Sequence, residues 1–448
     1  MIEFLCLKIF TDENMWVALI ICAVTIILMI CGILFFPKIK LGKVQINSYW
    51  VITLLGAAVA LAATKPDMSA LFKAFVADTA VNPVKILVLF ISMTVLSVFL
   101  DELGFFRYLA GVALKHARSG QKKLFVYLYV TVSVLTVFTS NDVIILSFTP
   151  FICYFAKHAK INPMPYLAAE FVAANTWSMA LIIGNPTNIY LASSYGLDFI
   201  SYLKISVIPT VLAGTCSFFC LYLIFRKHLS APIEGESEVE VIHDRFQLWV
   251  GIAHLSVCTV LLAVGSYFGL QMWIVSLAAA VSLLIISALT SLVRKTRPRE
   301  LIGCIKRIPY ELIPFILSMF VMIVILDQKG ITQYIGEFFG SNHHVLVYGV
   351  SSFFAANVLN NIPMSVLYSS VIAEAGAGLP AVFATVIGSN LGAYFTPVGA
   401  LAGIMFSSIL NRQGLKFGYK DFIKIGVTVA LPALAAALSG LYISLLFV

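Results

Sequence analysis

Residues 122–160 read KKLFVYLYVTVSVLTVFTSNDVIILSFTPFICYFAKHAK, two apolar arms with lysines at both outer ends and a polar break at Thr139-Ser140-Asn141-Asp142. The second arm offers about 14 apolar residues, roughly 21 Å of helix, which is short of a full bilayer crossing. Lysine-rich flanks prefer the inner side of a membrane, so both ends of this stretch belong on one side. A re-entrant hairpin that enters, turns at the Ser-Asn-Asp tip and returns meets both constraints. Non-helical backbone at that depth is tolerated only against protein or a water-filled cavity. The tip is therefore the first candidate for a functional site. A second stretch of this kind, residues 344–372, breaks at Asn360-Asn361-Ile362-Pro363.

The rest of the chain sets these hairpins in lipid. Of its 448 residues 60% are hydrophobic and 11% charged, at a mean hydropathy of +0.98, a composition that excludes an ordinary soluble domain. Apolar runs of spanning character recur at 16–36, 49–63, 86–100, 199–225, 248–268, 272–293, 312–326 and 422–448. With the N-terminus outside, the inner loops hold 23 of the 29 Lys and Arg, and only Lys8, Lys65, Lys73, Lys85, Lys204 and Lys329 fall elsewhere. That asymmetry predicts ten crossing spans, two opposed hairpins and both termini outside. The net charge of +8 then orients a membrane protein and does not call for nucleic acid. Residues 1–15 carry both signs of charge and precede a run too long for a signal peptide, so the first run reads as a retained span. The eight Cys show no zinc or redox spacing. Cys216 and Cys220, one turn apart, read as packing residues. The His343-His344 pair follows an outer loop and reads as solvated.

The two halves repeat. Aligning Asp101 with Asp327 pairs Ser92-Met93 with Ser318-Met319, Val95 with Val321, Val98 with Val324, Leu100 with Leu326, Gly104 with Gly330 and Tyr108 with Tyr334. Similar offsets pair Asn141-Asp142 with Asn360-Asn361, Asn175 with Asn390 and Gly184 with Gly399. The first repeat covers 1–225, with three spans, hairpin 122–160, broken span 165–196 and a last span. A cytoplasmic linker, 226–247, leads to a second repeat, 248–448, with hairpin 344–372 and broken span 380–410. One half starts outside and the other inside, which makes them inverted repeats, a recurrent plan of secondary transporters. The expected fold is an all-α polytopic membrane protein with re-entrant hairpins and broken helices.

Chemistry concentrates at four interruptions, two at the hairpin tips and two in the broken spans. The latter are Gly184-Asn185-Pro186-Thr187-Asn188, and Gly388-Ser389-Asn390-Leu391-Gly392 followed by Thr396-Pro397-Val398-Gly399. Gly and Pro in an apolar span free backbone groups. Half-helix N-termini then aim partial positive charge inward, and unwound carbonyls offer cation ligands. The candidate substrate- and ion-binding residues are Ser140, Asn141, Asp142, Asn175, Ser178, Gly184, Asn185, Thr187, Asn188, Asn360, Asn361, Ser389, Asn390 and Thr396, with the tips a candidate sodium site. Asp142 stands out, because an acid at bilayer depth costs on the order of 3 kcal/mol and is a functional candidate by default. The expectation is that it handles substrate or proton, with Asn141, Asn360 and Asn361 around it. Glu170 sits near a span end and reads as interfacial; Asp101 and Asp327 read as helix-end residues. No glycine loop of the phosphate-cradling kind is present, so the chain is read as a transporter and not an enzyme, with no cofactor. Its energy would come from an ion gradient or a separate soluble ATPase partner.

These tips and breaks together resemble the ion transporter superfamily and, within it, the arsenical pump membrane protein family, over nearly the whole chain including 98–106 and 388–432. The resemblance implies a multi-pass protein of the cell membrane that exports arsenite and antimonite as neutral hydroxides in exchange for protons, alone or with an ATPase. Superfamily relatives instead move dicarboxylates, citrate or other anions with sodium or protons, by an elevator-like motion. Asp142 matches the arsenical Asn-Asp pair. Asn175 and Asn390 stand where that pattern has acids, and the Gly184–Asn188 break reads closer to the organic-anion signature. The four breaks contain no Lys or Arg, which favours a neutral solute. Metalloid efflux is thus the first expectation and small-anion transport the alternative; a homodimer is a candidate assembly.

Overall fold

In lipid every backbone N–H and C=O must be satisfied within its own segment, and the chain answers with helices almost throughout. The computed structural model describes residues 13–41, 44–77, 82–116, 120–230, 242, 244–340, 342–415 and 417–447. The first half comprises α1 (Glu13–Phe35), α2 (Ser48–Thr64), α3 (Met68–Val76), α4 (Pro83–Glu102), α5 (Phe105–His116), α6 (Gln121–Phe138), α7 (Asn141–His158), α8 (Met164–Trp177), α9 (Pro186–Ser194) and α10 (Phe199–Phe225). The second comprises α11 (Arg245–Val264), α12 (Met272–Val293), α13 (Arg299–Arg307), α14 (Leu312–Gln328), α15 (Ile331–Phe339), α16 (His344–Leu359), α17 (Asn361–Ala375), α18 (Gly378–Gly392), α19 (Leu401–Arg412), α20 (Tyr419–Ile425) and α21 (Leu431–Ser444). Eight helical segments are long and apolar enough to cross a membrane, and α2, α16 and α18 are shorter apolar helices.

Unexpected from the sequence is a two-stranded ribbon between α1 and α2, in which β1 (Lys38–Leu41) runs antiparallel to β2 (Val44–Asn47) with Ile39 opposite Ile46. Alternation of polar and apolar residues in KIKL and VQIN suits a strand rather than a helix. Most of the linker expected at 226–247 lies outside the described residues. Its end is visible, because Asp244 caps α11 by accepting from the Gln247 N–H at 3.0 Å and pairs with Arg294 at 2.7 Å.

Gly104, between α4 and α5, and its sequence partner Gly330, between α14 and α15, both adopt a left-handed conformation with φ of 80° and 73°. Only glycine takes that turn without strain, so the same sharp bend follows Asp101 and Asp327 in each half. Asp327 accepts from Thr332 at 2.5 Å, a helix-end role. Asp101 also pairs with Arg307.

The outermost faces are apolar at helical spacing: Ile20, Val24, Ile27 and Leu28 on α1, Val257 and Val260 on α11, Val281 and Ile285 on α12 are exposed. So wide an apolar surface is the face a bilayer covers. The centre is the opposite case. In α8 every residue from Pro165 to Thr176 is buried, and in α18 every residue from Ala381 to Gly392. The helices preceding the two breaks thus form the heart of the molecule.

Two expectations about the breaks change. First, α7 is 18 residues long and carries Lys157 and His158 in its last turn, longer than the apolar count foretold. The hairpin reading now rests on the lysines at both outer ends and on the two-residue break at Thr139-Ser140, not on arm length. Second, Gly388-Ser389-Asn390-Leu391-Gly392 does not interrupt α18; the break lies after it, at 393–400. Glycine there serves close approach. A Cβ on Gly388 would lie 2.0 Å from Ser352 Oγ and 2.6 Å from the Gly349 carbonyl oxygen, and one on Gly392 would lie 2.6 Å from the Phe353 carbonyl oxygen. Small residues one turn apart let α16 and α18 touch backbone to backbone.

Candidate functional site

Helix α8 unwinds at Ser178 into two short 3-10 turns, Ser178–Ala180 and Ile182–Gly184, before α9 restarts at Pro186. Asn185 caps the restart by accepting from the Thr187 N–H at 3.2 Å, and Pro186 sits where a missing N–H costs nothing. The unwound turns leave carbonyls without helical partners, and Asn188 satisfies two of them, donating to Ser178 O at 2.8 Å and Leu181 O at 3.1 Å.

Asn390, from α18 in the other half, closes this region. Its Oδ1 accepts from Ser178 Oγ at 2.8 Å and Asn185 Nδ2 at 3.0 Å, and its Nδ2 donates to Asn188 Oδ1 at 2.7 Å and Val386 O at 2.8 Å. Asn175 links the cluster to the first hairpin tip, for Asn141 donates to Asn175 Oδ1 at 3.0 Å. All these residues are buried. The break of one half, the tip of its hairpin and the central helix of the other half are thus joined by neutral amides and hydroxyls.

A separate network serves the second tip. Asn360 donates to Val398 O at 3.1 Å, the Asn361 N–H donates to Gly399 O at 3.0 Å, and Thr396 donates to Asn357 Oδ1 at 2.7 Å. Asn357 in turn donates to Gly392 O at 3.1 Å. The second hairpin tip is therefore tied to the second break. Ser140 Oγ, Asn361 Oδ1 and Ser389 Oγ are buried without a hydrogen-bond partner among the described residues, a costly condition that marks them as groups available to a solute or ion.

Asp142 does not sit among the second tip's amides. It is half-buried at the first turn of α7 and lines a cavity of about 140 Å3 with Asn47, Tyr49, Thr94, Arg307 and Glu311. Among the described residues no hydrogen bond joins Asn360 or Asn361 to it; of the three amides expected around it, Asn141 bonds it, its Oδ1 accepting from the Asp142 N–H at 2.9 Å. Glu311 is held by both Asn47 and Tyr49, the latter donating at 3.3 Å. Arg307 pairs with Asp101 at 2.6 Å and Glu102 at 2.8 Å. Glu170, expected near a surface, is fully buried in α8.

The family described as Citrate transporter matches residues 44–388. The chain belongs to the citrate transporter family. It is also similar to the arsenical pump membrane protein of Escherichia coli (strain K12), 25% identical over 375 residues that cover 80% of this chain and 86% of that protein. The arsenical pump membrane protein of Yersinia enterocolitica is 24% identical over 373 residues, with 80% and 85% covered. In fold it resembles the YdaH transporter of Alcanivorax borkumensis, at a TM-score of 0.55 and 13% identity over 97% of this chain and 99% of that one. This member of the citrate transporter family is accordingly a multi-pass transporter of the cell membrane and not an enzyme.

Several residues of the site escape a reading of the breaks alone. Asn357, Tyr49, Asn47, Arg307 and Glu311 lie outside them. Asn357 had a signal, a lone amide in an apolar hairpin arm three residues before the tip. Arg307 and Glu311 had none, since their flank of α14 reads as an ordinary basic inner loop. Among the described residues no group of three or more His, Cys, Asp or Glu is placed to hold a metal ion. Cys216 and Cys220 are free and half-buried, and His343 is exposed.

Proposed function

We propose that this transporter exports arsenite or antimonite as neutral trihydroxides, exchanged for protons, through the centre formed by Asn175, Ser178, Asn185, Asn188 and Asn390. The observation that carries the reading is the chemistry of that centre. Its buried side chains are amides and hydroxyls that hydrogen-bond one another and backbone carbonyls, with no Lys or Arg among their partners. A trihydroxide needs several donors and acceptors and no counter-charge, and it can exchange for the amide contacts one at a time. Asp142, with no side-chain partner among the described residues, is the group to take up the proton. The names of the relatives that cover 80% of the chain support this choice.

A second reading, transport of citrate or another small organic anion with protons or sodium, is favoured by one observation: Arg307 is among the residues that line the Asp142 cavity. The family's description agrees with it. The test compares the two directly. Expression in an arsenite-sensitive host should raise tolerance, and everted vesicles should accumulate arsenite when given a proton gradient. Unchanged tolerance, together with gradient-driven citrate or succinate uptake by the purified protein in liposomes, would overturn the metalloid reading in favour of the anion.

A further inference from the structure

Glu170 is a fully buried carboxyl that the proposed solute path does not use. It lies in the middle of α8, five residues before Asn175. Among the described residues one side chain hydrogen-bonds it: Thr149 of α7, whose Oγ1 is 2.9 Å from Oε1 and 3.1 Å from Oε2. No cation pairs with it among the described residues. A single hydroxyl proton can serve only one of the two oxygens, so the ionised carboxylate would leave the other buried and unpaired, which is costly. With a proton on Oε2, both contacts are satisfied in a ring: Thr149 O–H donates to Oε1 and Oε2–H donates back to Thr149 Oγ1. The charged groups of the packed helices lie elsewhere. Lys122 and Lys123 on α6, Lys157 and His158 on α7, Lys204 on α10, Arg412 on α19, and Lys420, Asp421 and Lys424 on α20, whose Phe422 packs with Phe406 against Phe171, are all exposed, and the ionisable neighbour is the Cys153 thiol of α7.

The position bears on coupling. Thr149 follows Asp142 by seven residues on α7, two turns along the same face and roughly 10 Å away. The pairs Asn141–Asn175 and Thr149–Glu170 run in opposite chain order, so α7 and α8 are antiparallel and joined at both places. Glu170 thus stands two turns below the tip, toward the lysine-bearing end of the hairpin. Pro150, next to Thr149, lacks the N–H that would bond the Leu146 carbonyl one turn earlier in α7.

We propose that Glu170 is a second proton-carrying site, taking the coupling proton onto a carboxylate oxygen between Asp142 and the end of the hairpin that holds Lys157 and Lys160, and releasing it from the same oxygen. The proposal rests on the proton-coupled reading above, but its first test does not need the substrate. Infrared difference spectra of the purified protein in lipid nanodiscs, stepped between acidic and alkaline buffer, should show a protonated-carboxyl stretch that titrates and that is lost in Glu170→Gln. Thr149→Val, which removes the hydroxyl donor, should shift that titration toward alkaline pH. A Glu170 band unchanged across the pH range would mean a permanently protonated structural group and overturn the proposal, as would no Glu170 band at all. In liposomes, Glu170→Gln should retain arsenite exchange at equal pH while losing at least tenfold of accumulation driven by a pH gradient. If the band titrates but wild-type protein moves no arsenite, the solute assignment fails and the proton site stands.

Discussion

Replacing Asn390 by leucine tests whether the amide cluster binds the two halves together. Leucine keeps nearly the volume and removes four hydrogen bonds at once. Not all of the partners suffer equally. Ser178 Oγ retains Asn175 O at 2.8 Å, and Val386 O is a helix carbonyl with a second lone pair to spare. Asn185 Nδ2 and Asn188 Oδ1 are the groups left without a good partner. Two orphaned buried polar groups at about 1–3 kcal/mol each give a loss of about 2–6 kcal/mol. For a chain of 448 residues, about 2.1 cal/mol/K per residue gives an unfolding entropy near 0.9 kcal/mol/K, so the midpoint should fall by about 2–6 °C. Thermal unfolding of the purified protein in detergent reads this out. The control is Ser389→Ala on the same buried helix, where the hydroxyl has no partner to lose and the midpoint should hold or rise. Asn188→Leu combined with Asn390→Leu should cost less than the two singles added, since both remove one shared contact. Equal shifts for Asn390→Leu and Ser389→Ala, or strict additivity in the cycle, would refute the claim that these amides act as one unit.

Asp142→Asn should abolish accumulation driven by a pH gradient while the protein stays folded by gel filtration; normal accumulation with an unchanged pH dependence would reduce Asp142 to a helix cap. Gly388→Ala should destabilise by about 3 kcal/mol, because its Cβ would strike a backbone carbonyl of α16 as well as a side chain, and adding Ser352→Ala should recover only part of that loss in a thermal scan. Arg307→Gln should cost about 2 kcal/mol by stranding the buried Asp101, less than a fully buried pair because Arg307 remains 30% exposed; adding Asp101→Asn should restore most of the midpoint. Single thiols placed at Lys122 and Lys160 in a cysteine-free background should react from the same side of the membrane, and labelling from opposite sides would remove the first hairpin.

Polar residues in an apolar run are loud, so Ser140, Asn141, Asn185 and Asn360 were legible as special without any structure. What they bind was not. Gly388 and Gly392 carry the same sequence signal whether they break a helix or admit a neighbour, and only the presence of α16 at backbone distance separates the two. Glu170 was misplaced because a position near Pro163 looks like a helix start at a surface, whereas α8 is packed against α6, α7, α10 and α18, with Phe406 and Phe422 of α19 and α20 on its Phe171. Enclosure is a property of the assembled bundle, and hydropathy along one helix does not encode it. The ribbon before α2 escaped for a related reason, since the ten residues 38–47, with Lys38, Lys40 and Lys43 among them, read as a basic loop until Asn47 is seen holding Glu311.

The same limit governs the counter-charge. A search of the four breaks for Lys or Arg finds none, yet the fold brings Arg307 to the Asp142 cavity from a flank 165 positions away in the chain. Taken alone that guanidinium argues for an anionic cargo. Its partners weaken the argument. Arg307 is already engaged by Asp101 and Glu102, and the cavity wall adds Asp142 and Glu311, so a single cation stands against four carboxyl groups. An anion entering there would meet a net negative field in a site of low dielectric, whereas a proton arriving at Asp142 would relieve it. The charge arrangement of the cavity therefore suits the coupling ion, and the neutral amide centre at Asn390 suits an uncharged solute. The two sites lie on the same hairpin tip, through Asp142 on one side and Asn141 on the other, and one movement of that tip would reach both.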